Sequence, residues 1–392
     1  MSVGREFDVV LFGATGFTGG LTAEYLAAHA PNGCRWAIAG RSREKLLALR
    51  ERLAEINPLC GDLDLLVADV TDRESLRAVV MRSRVVVTTV GPYLRHGEPL
   101  VAVCAETGTD YLDLTGEPEF VDRMYLDHHE AAVASGARIV HSAGFDSIPY
   151  DLGVLFTVEQ LPEDVPLDVQ GYVSASASFS AGTYHSAITA FSRLRQMSAI
   201  ARRRREVEGR PDDGRVVRGA KGRPRFEKAV GAWVLPAPTI DPQVVLRSAR
   251  ALARYGPAFR YGHYLAVRKL PVAAGIVGAV GAAVALAQVP PTRNWLLSRM
   301  ASGDGPTQER RDKAWFRARF IGTGGGQRVV TEVSGGDPGY GETAKMLAES
   351  ALCLAFDTLP KTAGQVTTAV AMGDKLIARL VRAGLTFRVV EE

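Results

Sequence analysis

Phe7-Asp8-Val9-Val10-Leu11-Phe12-Gly13-Ala14-Thr15-Gly16-Phe17-Thr18-Gly19 is the stretch whose reading decides the fold. Val9–Phe12 is a short apolar run of buried-strand type, and a helical pattern follows over Gly20–Ala30. Glycines at such a turn let the backbone bend tightly and approach a pyrophosphate. The helix start adds N–H groups and the positive end of its dipole. The spacing is G-x-x-G-x-x-G rather than G-x-G-x-x-G, but it follows a strand and opens a helix, the context the motif requires. Gly13, Ala14, Thr15, Gly16, Phe17, Thr18 and Gly19 are therefore expected to bind a dinucleotide.

The same alternation continues outward. Strand-like runs at 36–39, 65–68, 85–90, 111–114 and 137–141 are separated by helical patterns at 42–56, 73–81, 99–107 and 120–134. Such β-α-β units with right-handed crossovers give a parallel, doubly wound sheet. The expected class is α/β, with a Rossmann-type domain over residues 1–150 and a second α+β domain. That second domain, 151–338, is expected to serve substrate and association through a mixed or antiparallel sheet. In it 169–177 reads as an exposed strand, 188–207 as a helix carrying Arg202-Arg203-Arg204-Arg205, and 209–228 as a charged mobile loop. Residues 314–321 and 327–334 read as a hairpin around Gly322–Gly326. Helices at 341–357 and 366–383 are expected to bring the C-terminal part, 339–392, back onto the Rossmann domain.

Bulk properties narrow the function. A formal charge of +4 over 392 residues is only mildly basic and gives no argument for nucleic acid. Cys34, Cys60, Cys104 and Cys353 are far apart with no Cys-x-x-Cys, which favours reduced thiols over a disulfide framework or zinc knuckle. The chain enters an apolar strand after six residues without a secretion signal, so a cytoplasmic location is expected.

The second strand ends in Ala39-Gly40-Arg41-Ser42. An NAD enzyme usually places a carboxylate here for the ribose 2′-hydroxyl, and that carboxylate would repel a 2′-phosphate. Arg41 and Ser42 can bind one instead, so NADP is the expected cofactor. Asp69 and Val70, after the third strand, are placed to meet the adenine end. Gly91, Pro92 and Tyr93, after the fourth, are placed to border the nicotinamide, and Gly144-Phe145-Asp146-Ser147 follows a later strand into the same crevice. The glycines and prolines of these turns have an equally plain alternative role in backbone geometry. None of the eleven tyrosines has a lysine four residues later, which argues against short-chain reductase chemistry.

Several motifs together resemble one family. The opening Phe7–Gly19, Ala39–Ser42, Val90-Gly91-Pro92-Tyr93, Gly97-Glu98-Pro99, Tyr111-Leu112-Asp113-Leu114-Thr115-Gly116-Glu117, Gly144-Phe145-Asp146-Ser147-Ile148-Pro149 and Gly339-Tyr340 with Thr343-Ala344 and Met346-Leu347 are similar to the saccharopine dehydrogenase-like oxidoreductases. The closer likeness is to their trans-acting enoyl reductase branch. The resemblance spans nearly the whole chain, least so at 200–310. It implies an NADP-binding Rossmann domain and reduction of a carbon–carbon double bond in a lipid intermediate. That intermediate would be held on a polyketide synthase acyl carrier during glycolipid synthesis. A saccharopine-like C–N dehydrogenase and a non-catalytic membrane-associated scaffold are the alternatives, since fold does not decide function.

Enoyl reduction needs a hydride at the β-carbon, a stabilised enolate oxygen and a proton at the α-carbon. In Gly182-Thr183-Tyr184-His185-Ser186, Tyr184 and His185 are the candidate proton donors, against a plain reading as a helix cap at Thr183 with a packed Tyr and a surface His. His128-His129-Glu130 sits in a helical stretch whose adjacent histidines face differently, so no metal is expected. Residues 270–289 carry no charge and approach a membrane span in length, with Arg268, Lys269 and Arg293 flanking. An interfacial or substrate-lining helix, a buried helix and a true span are the readings left open. With the basic stretch 202–228, this segment raises peripheral contact with the inner face of the plasma membrane as an expectation. A homodimer is a further open possibility.

Overall fold

The computed structural model describes residues 4–176, 181–209, 213–299 and 306–390. The chain divides into two compact units. Among the described residues, the first runs to Phe145 and takes in Tyr340–Arg379; the second takes in those from Asp146 to Gly339 and from Leu380 onward.

The first unit is built on β1 (Phe7–Phe12), β2 (Trp36–Gly40), β3 (Asp64–Val67), β4 (Ser83–Thr88), β5 (Asp110–Asp113), β6 (Arg138–Val140) and a late strand, Gly364–Val366. All neighbours pair in parallel, in the order β3-β2-β1-β4-β5-β6 with Gly364–Val366 at the far edge. β1 lies in the interior and all six of its residues are buried. A parallel strand covered on both faces reads as an unbroken apolar run, which is why Val9–Phe12 was legible. The strands are linked by α1 (Phe17–His29), α2 (Arg43–Ile56), α3 (Arg73–Val80), the short α4 (Tyr93–His96), α5 (Glu98–Thr107) and α6 (Pro118–Ser135). Asp72 caps α3 by accepting from the N–H groups of Glu74 and Ser75 at 3.0 and 3.3 Å. α5 and α6 end on left-handed glycines, Gly108 and Gly136.

The second unit carries a mixed sheet of eight strands. These are β7 (Leu167–Ser176), β8 (Val216–Gly219), β9 (Arg225–Glu227), β10 (Ala232–Pro236), β11 (Ala258–Val267), β12 (Trp315–Gly324), β13 (Gln327–Gly335) and a last strand, Thr386–Val389. With Gly364–Val366 designated β14 and Thr386–Val389 β15, the order is β15-β13-β12-β7-β11-β10-β9, and β8 joins β11. β7 is an interior strand, parallel to β11 and antiparallel to β12, not the exposed strand expected at 169–177. Val169, Tyr172 and Val173 are buried, and Ala177 lies outside the described residues. Within 209–228, expected as a loop, β8 and β9 add to the sheet. The hairpin turn is tighter than Gly322–Gly326: Gly324 pairs with Gln327, leaving Gly325 and Gly326 as a two-residue turn with φ of 57° and 77°. Both φ values are positive, as a twist-matched two-residue hairpin turn requires.

The remaining helices of the second unit are α7 (Ile148–Val158), α8 (Ala181–Ser192), α9 (Leu194–Glu208), α10 (Asp241–Ala251), α11 (Leu270–Ala287), α12 (Pro290–Ser298) and α13 (Gln308–Asp312). The expected 188–207 helix is therefore two, broken at Arg193. The four consecutive arginines do not form a uniform charged face. Arg204 is buried and binds Glu208 at 2.7 Å, and Glu208 also meets Arg250 at 3.3 Å. Late in the chain, α14 (Gly341–Phe356) packs against α1 and the first sheet, followed by β14, α15 (Thr368–Ala371) and α16 (Gly373–Arg382). Arg379 ties α14 down, reaching Glu349 at 3.2 Å and Asp357 at 2.7 Å. The expected C-terminal segment thus divides: Tyr340–Arg379 joins the Rossmann unit, whereas β15 pairs antiparallel with β13.

Candidate functional site

The turn after β1 is held by its own backbone, by β2 and by Thr89 just past β4. The Gly13 N–H donates to the Ala39 carbonyl at 2.9 Å, the Gly16 N–H to the Gly13 carbonyl at 3.0 Å, and the Thr89 hydroxyl to that same carbonyl at 3.1 Å. Two glycines are needed for distinct reasons. Gly13 has φ +82°, and a Cβ there would also strike Val90 Cγ2 at 2.6 Å. A Cβ on Gly19 would fall 2.2 Å from the Gly13 carbonyl oxygen and 2.9 Å from Ala14 Cα. The first turn of α1 can fold back on the loop only without side chains there. Thr15 and Gly16 are exposed at the tip, Ala14 is buried, and the cap residue Gly16 provides no side-chain hydrogen bond to the helix. Thr18 gives its carbonyl to the Thr22 hydroxyl at 2.9 Å, and the Phe17 ring meets Tyr340 edge-on at 4.8 Å. A bare, exposed helix start fronted by a tight loop fits a pyrophosphate.

At the end of β2, Arg41 is exposed and makes no hydrogen bond or ion pair with any described residue. Arg43 and Lys45 beside it are exposed as well. Ser42 caps α2, its hydroxyl oxygen accepting from the Lys45 N–H at 3.3 Å. Beyond β3, the Asp69 carboxylate accepts from the Thr71 N–H and hydroxyl at 2.9 and 2.8 Å. Those two bonds, with the charges of Arg41 and His96 nearby, hold it below the ordinary carboxylate range. Val70 is partly exposed beside it. The positive charge of Arg41 can thus meet a 2′-phosphate, with Asp69 fixed next to it.

After β4, Gly91 and Pro92 are exposed and joined by a cis bond. The Tyr93 side chain turns inward and is buried: its hydroxyl donates to the Thr88 carbonyl and accepts from the Leu114 N–H, both at 3.2 Å. Tyr93 therefore braces β4 against β5, and the exposed part of this turn is Gly91-Pro92. Glu117 completes the brace, accepting from the N–H groups of Tyr93 and Leu94 at 3.2 and 2.9 Å. In the buried network behind it, Asp113 accepts from the Tyr111 hydroxyl at 3.0 Å, the Thr115 and Ser142 N–H groups at 3.0 and 2.9 Å, and lies 2.6 Å from His141 Nδ1. Asp113 and Glu117 lie in the Tyr111–Glu117 motif, where their carboxylates lock the loop ends.

Tyr184 and His185 lie on α8, in the second unit. Tyr184 donates its hydroxyl to the Leu296 carbonyl of α12 at 3.1 Å, which gives it a packing role. α8 begins at Ala181, so Thr183 is inside the helix and not its cap; its side chain lies outside the described residues. His128 and His129 point apart, as expected: His128 Nε2 lies 3.1 Å from Glu98 Oε1, and His129 Nδ1 accepts from the Gln365 N–H at 3.0 Å.

The second unit holds a polar cluster that no local spacing announces. His263 on β11, Asp241 opening α10 and Tyr150 on α7 are all buried. His263 Nδ1 is 2.8 Å from the Tyr261 hydroxyl, its Nε2 is 3.5 Å from Asp241 Oδ2, and the Tyr150 ring stands edge-on to the imidazole at 4.8 Å. Burial pushes His263 down to about 3 and Asp241 well above the usual carboxylate range. The contact to Asp241 is therefore between neutral groups. Its 3.5 Å is too long to offset the desolvation of two charges. Asp146 lies electrostatically close to Asp241 and Tyr150. It follows β6 through Gly144 and Phe145, is partly exposed, and its carboxyl makes no hydrogen bond to any described residue. Desolvation raises it to about 6.

A parallel sheet with a glycine cradle at the end of β1, and at the end of β2 an arginine that bonds to no described residue, has the form of a Rossmann domain suited to NADP. The sequence comparisons agree: residues 9–140 match the model of the saccharopine dehydrogenase NADP binding domain. A Mycobacterium tuberculosis protein assigned as a trans-acting enoyl reductase is 38% identical over 98% of this chain and 97% of its own length. The trans-acting enoyl reductase of Mycobacterium ulcerans is 35% identical over 98% of both chains. Apo saccharopine dehydrogenase (L-glutamate-forming) from Saccharomyces cerevisiae shares the fold, with a TM-score of 0.56 and 13% identity over 98% of this chain and 99% of that one. The chain belongs to the trans-acting enoyl reductase family of the saccharopine dehydrogenase-like oxidoreductases. It is an NADP-dependent oxidoreductase.

Proposed function

We propose that this protein reduces the carbon–carbon double bond of a lipid-like α,β-unsaturated acyl thioester, in the cytoplasm, while a polyketide synthase acyl carrier holds the intermediate during glycolipid assembly. The observation that carries the reading is full-length identity to relatives named for trans-acting enoyl reduction. The fitted cradle at Gly13–Gly19 and the unpaired Arg41 support a working cofactor site and weigh against a non-catalytic scaffold.

When bound, NADPH supplies a hydride to the β-carbon. This chain's own residues must then orient the nicotinamide end and provide a proton for the α-carbon. The Gly91-Pro92 backbone, outside the carboxyl end of β4, is suited to the first task. For the second, Asp146 fits better than Tyr184 or His185. It is partly exposed, lies in the loop that leaves β6, and is held protonated into the mildly acidic range by desolvation. Tyr184 already donates its proton to a backbone carbonyl.

The test is oxidation of NADPH by the purified protein with long-chain enoyl thioesters, presented on an acyl carrier protein and on a small thiol, against imino acids. Saturation of the double bond, found by mass spectrometry and favoured on the carrier, is the expected outcome. Turnover of imino acids alone would replace this reading with C–N dehydrogenation. NADPH binding without turnover of any thioester would reject the reductase.

A further inference from the structure

α11 is an 18-residue helix, Leu270–Ala287, with no charged side chain, and only Ala273 and Ala287 in it are buried. It is about 27 Å long. An apolar helix of this length in a soluble protein is ordinarily a core element, and α11 is not one. Leu270, Val272, Val277, Val280 and Leu286 are all exposed, and Val289 and Trp295 extend the patch. Exposed contiguous apolar surface of this kind marks an interaction site.

Charge identifies what the surface meets. From Arg268 to Arg299 there is no Asp or Glu, while Arg268 and Lys269 stand before α11 and Arg293 and Arg299 after it. Arg299 also lies over the exposed Trp295 ring, 4.4 Å from its centroid, which couples a cation to an amphipathic aromatic. Apolar length between cationic ends, with an adjoining Trp, matches the layering of acyl chains under anionic headgroups. A second copy of this chain fits worse. Cations border both ends of α11, so parallel or antiparallel pairing in register brings like charges together.

The geometry points to α11 and α12 as a docking surface for an anionic lipid bilayer, with α11 lying in the plane of one leaflet. A span is disfavoured because α11 packs along α8 and α12 and also touches β10 and β11, so it cannot cross without those elements. The inference does not depend on the enoyl substrate.

The test is flotation of the full-length protein with phosphatidylcholine vesicles, with and without phosphatidylglycerol. Three forms are compared: the parent, Val272→Glu/Val277→Glu/Leu286→Glu, and Arg268→Gln/Lys269→Gln. Val133→Glu, at an exposed apolar position on α6, is the control, and NADPH affinity monitors folding. The parent is expected to float, more strongly with phosphatidylglycerol and less strongly at high salt. The triple variant should lose about tenfold or more of its partition, because carboxylates in an acyl layer are costly. The double variant should lose the preference for anionic lipid, and Val133→Glu should match the parent. Failure of the parent to float on either vesicle overturns the proposal. So does equal flotation of parent and triple variant, or a self-association that the triple variant abolishes while flotation persists.

Discussion

Replacing Arg41 separates recognition of the 2′-phosphate from everything else the fold does. The side chain is exposed and bonds to no described residue, so its loss should leave the fold intact. A hydrogen bond to a charged group contributes about 1.5–3 kcal/mol, and solvent at this exposed site places the value toward the lower end. Arg41→Ala should therefore weaken NADPH binding roughly ten- to thirtyfold. Arg41→Asp adds repulsion: one unit charge at roughly 6 Å in water contributes about 0.7 kcal/mol, and a phosphate near charge −2 roughly doubles that. The Asp variant should lose about a further tenfold. NADH, which lacks the phosphate, should change by less than about threefold in Arg41→Ala. The assay is titration of both cofactors by nicotinamide fluorescence at two salt concentrations, with thermal unfolding as the control. The NADPH penalty should shrink at high salt. Parallel losses for NADH and NADPH, or no loss for either, would refute the placement of the phosphate at Arg41.

Three further outcomes follow from the geometry. Gly19→Ala puts a Cβ 2.2 Å from the Gly13 carbonyl oxygen. It should cost about 1–3 kcal/mol of stability and at least about tenfold in NADPH affinity, read from denaturant unfolding and titration. Asp146→Asn should lower turnover by about 10²–10⁴-fold with NADPH affinity nearly unchanged. In the parent, turnover should fall as pH rises through about 6, and an unaltered pH profile in the variant would remove Asp146 from proton delivery. His263 is held neutral down to about 3, so its contribution to stability is present above 6.5 and is lost as pH falls. Buried Asp241, held protonated, and Asp146, raised to about 6, have the opposite slope, so the parent's own pH dependence is the difference of opposing contributions. His263→Gln removes only the histidine's part, and its stability relative to the parent should rise by about 2 kcal/mol as pH falls from about 7 to about 5, measured by urea unfolding.

The Rossmann half was legible because its interior strands are covered on both faces. Val9–Phe12, 36–39 and 85–90 read as apolar runs, and the Gly13–Gly19 turn has a fixed backbone requirement. β14 escaped because three residues, Gly364–Val366, contribute only edge pairing to β6 and abut a helical pattern. β7 misled because Asp168, Gln170 and Ser174 interrupt its apolar residues, yet pairing with β11 on one side and β12 on the other makes it interior. β8 and β9 carry arginines and polar residues at an edge, where strands and charged loops have the same composition. For the site, the Gly13–Gly19 turn is local and so visible. Arg204 could not be seen as buried, because its environment includes Glu208, itself held by Arg250 from another helix. The cluster of Tyr150, Asp241, Tyr261 and His263 joins α7, α10 and β11, and only the folded chain brings those elements together.

The contrast between the two units' charged groups argues for different ligands. In the first unit, Arg41 is exposed and unpaired and Asp69 is kept ionised by Thr71, which suits an anionic, hydrated nucleotide. In the second, desolvation dominates at one cluster, although Glu332 on β13 is held low by Arg319 and Arg388: Asp241 and His263 face each other at 3.5 Å and both stay neutral, and the Asp146 carboxyl, with no hydrogen bond to a described residue, is raised to about 6. Neutral groups of this kind can exchange a proton beside an apolar chain without first stripping water from an ion. On the reading proposed above, neutral groups of this kind suit an uncharged acyl chain; an amino-acid substrate would call for a fixed cation and anion to meet its carboxylate and amine.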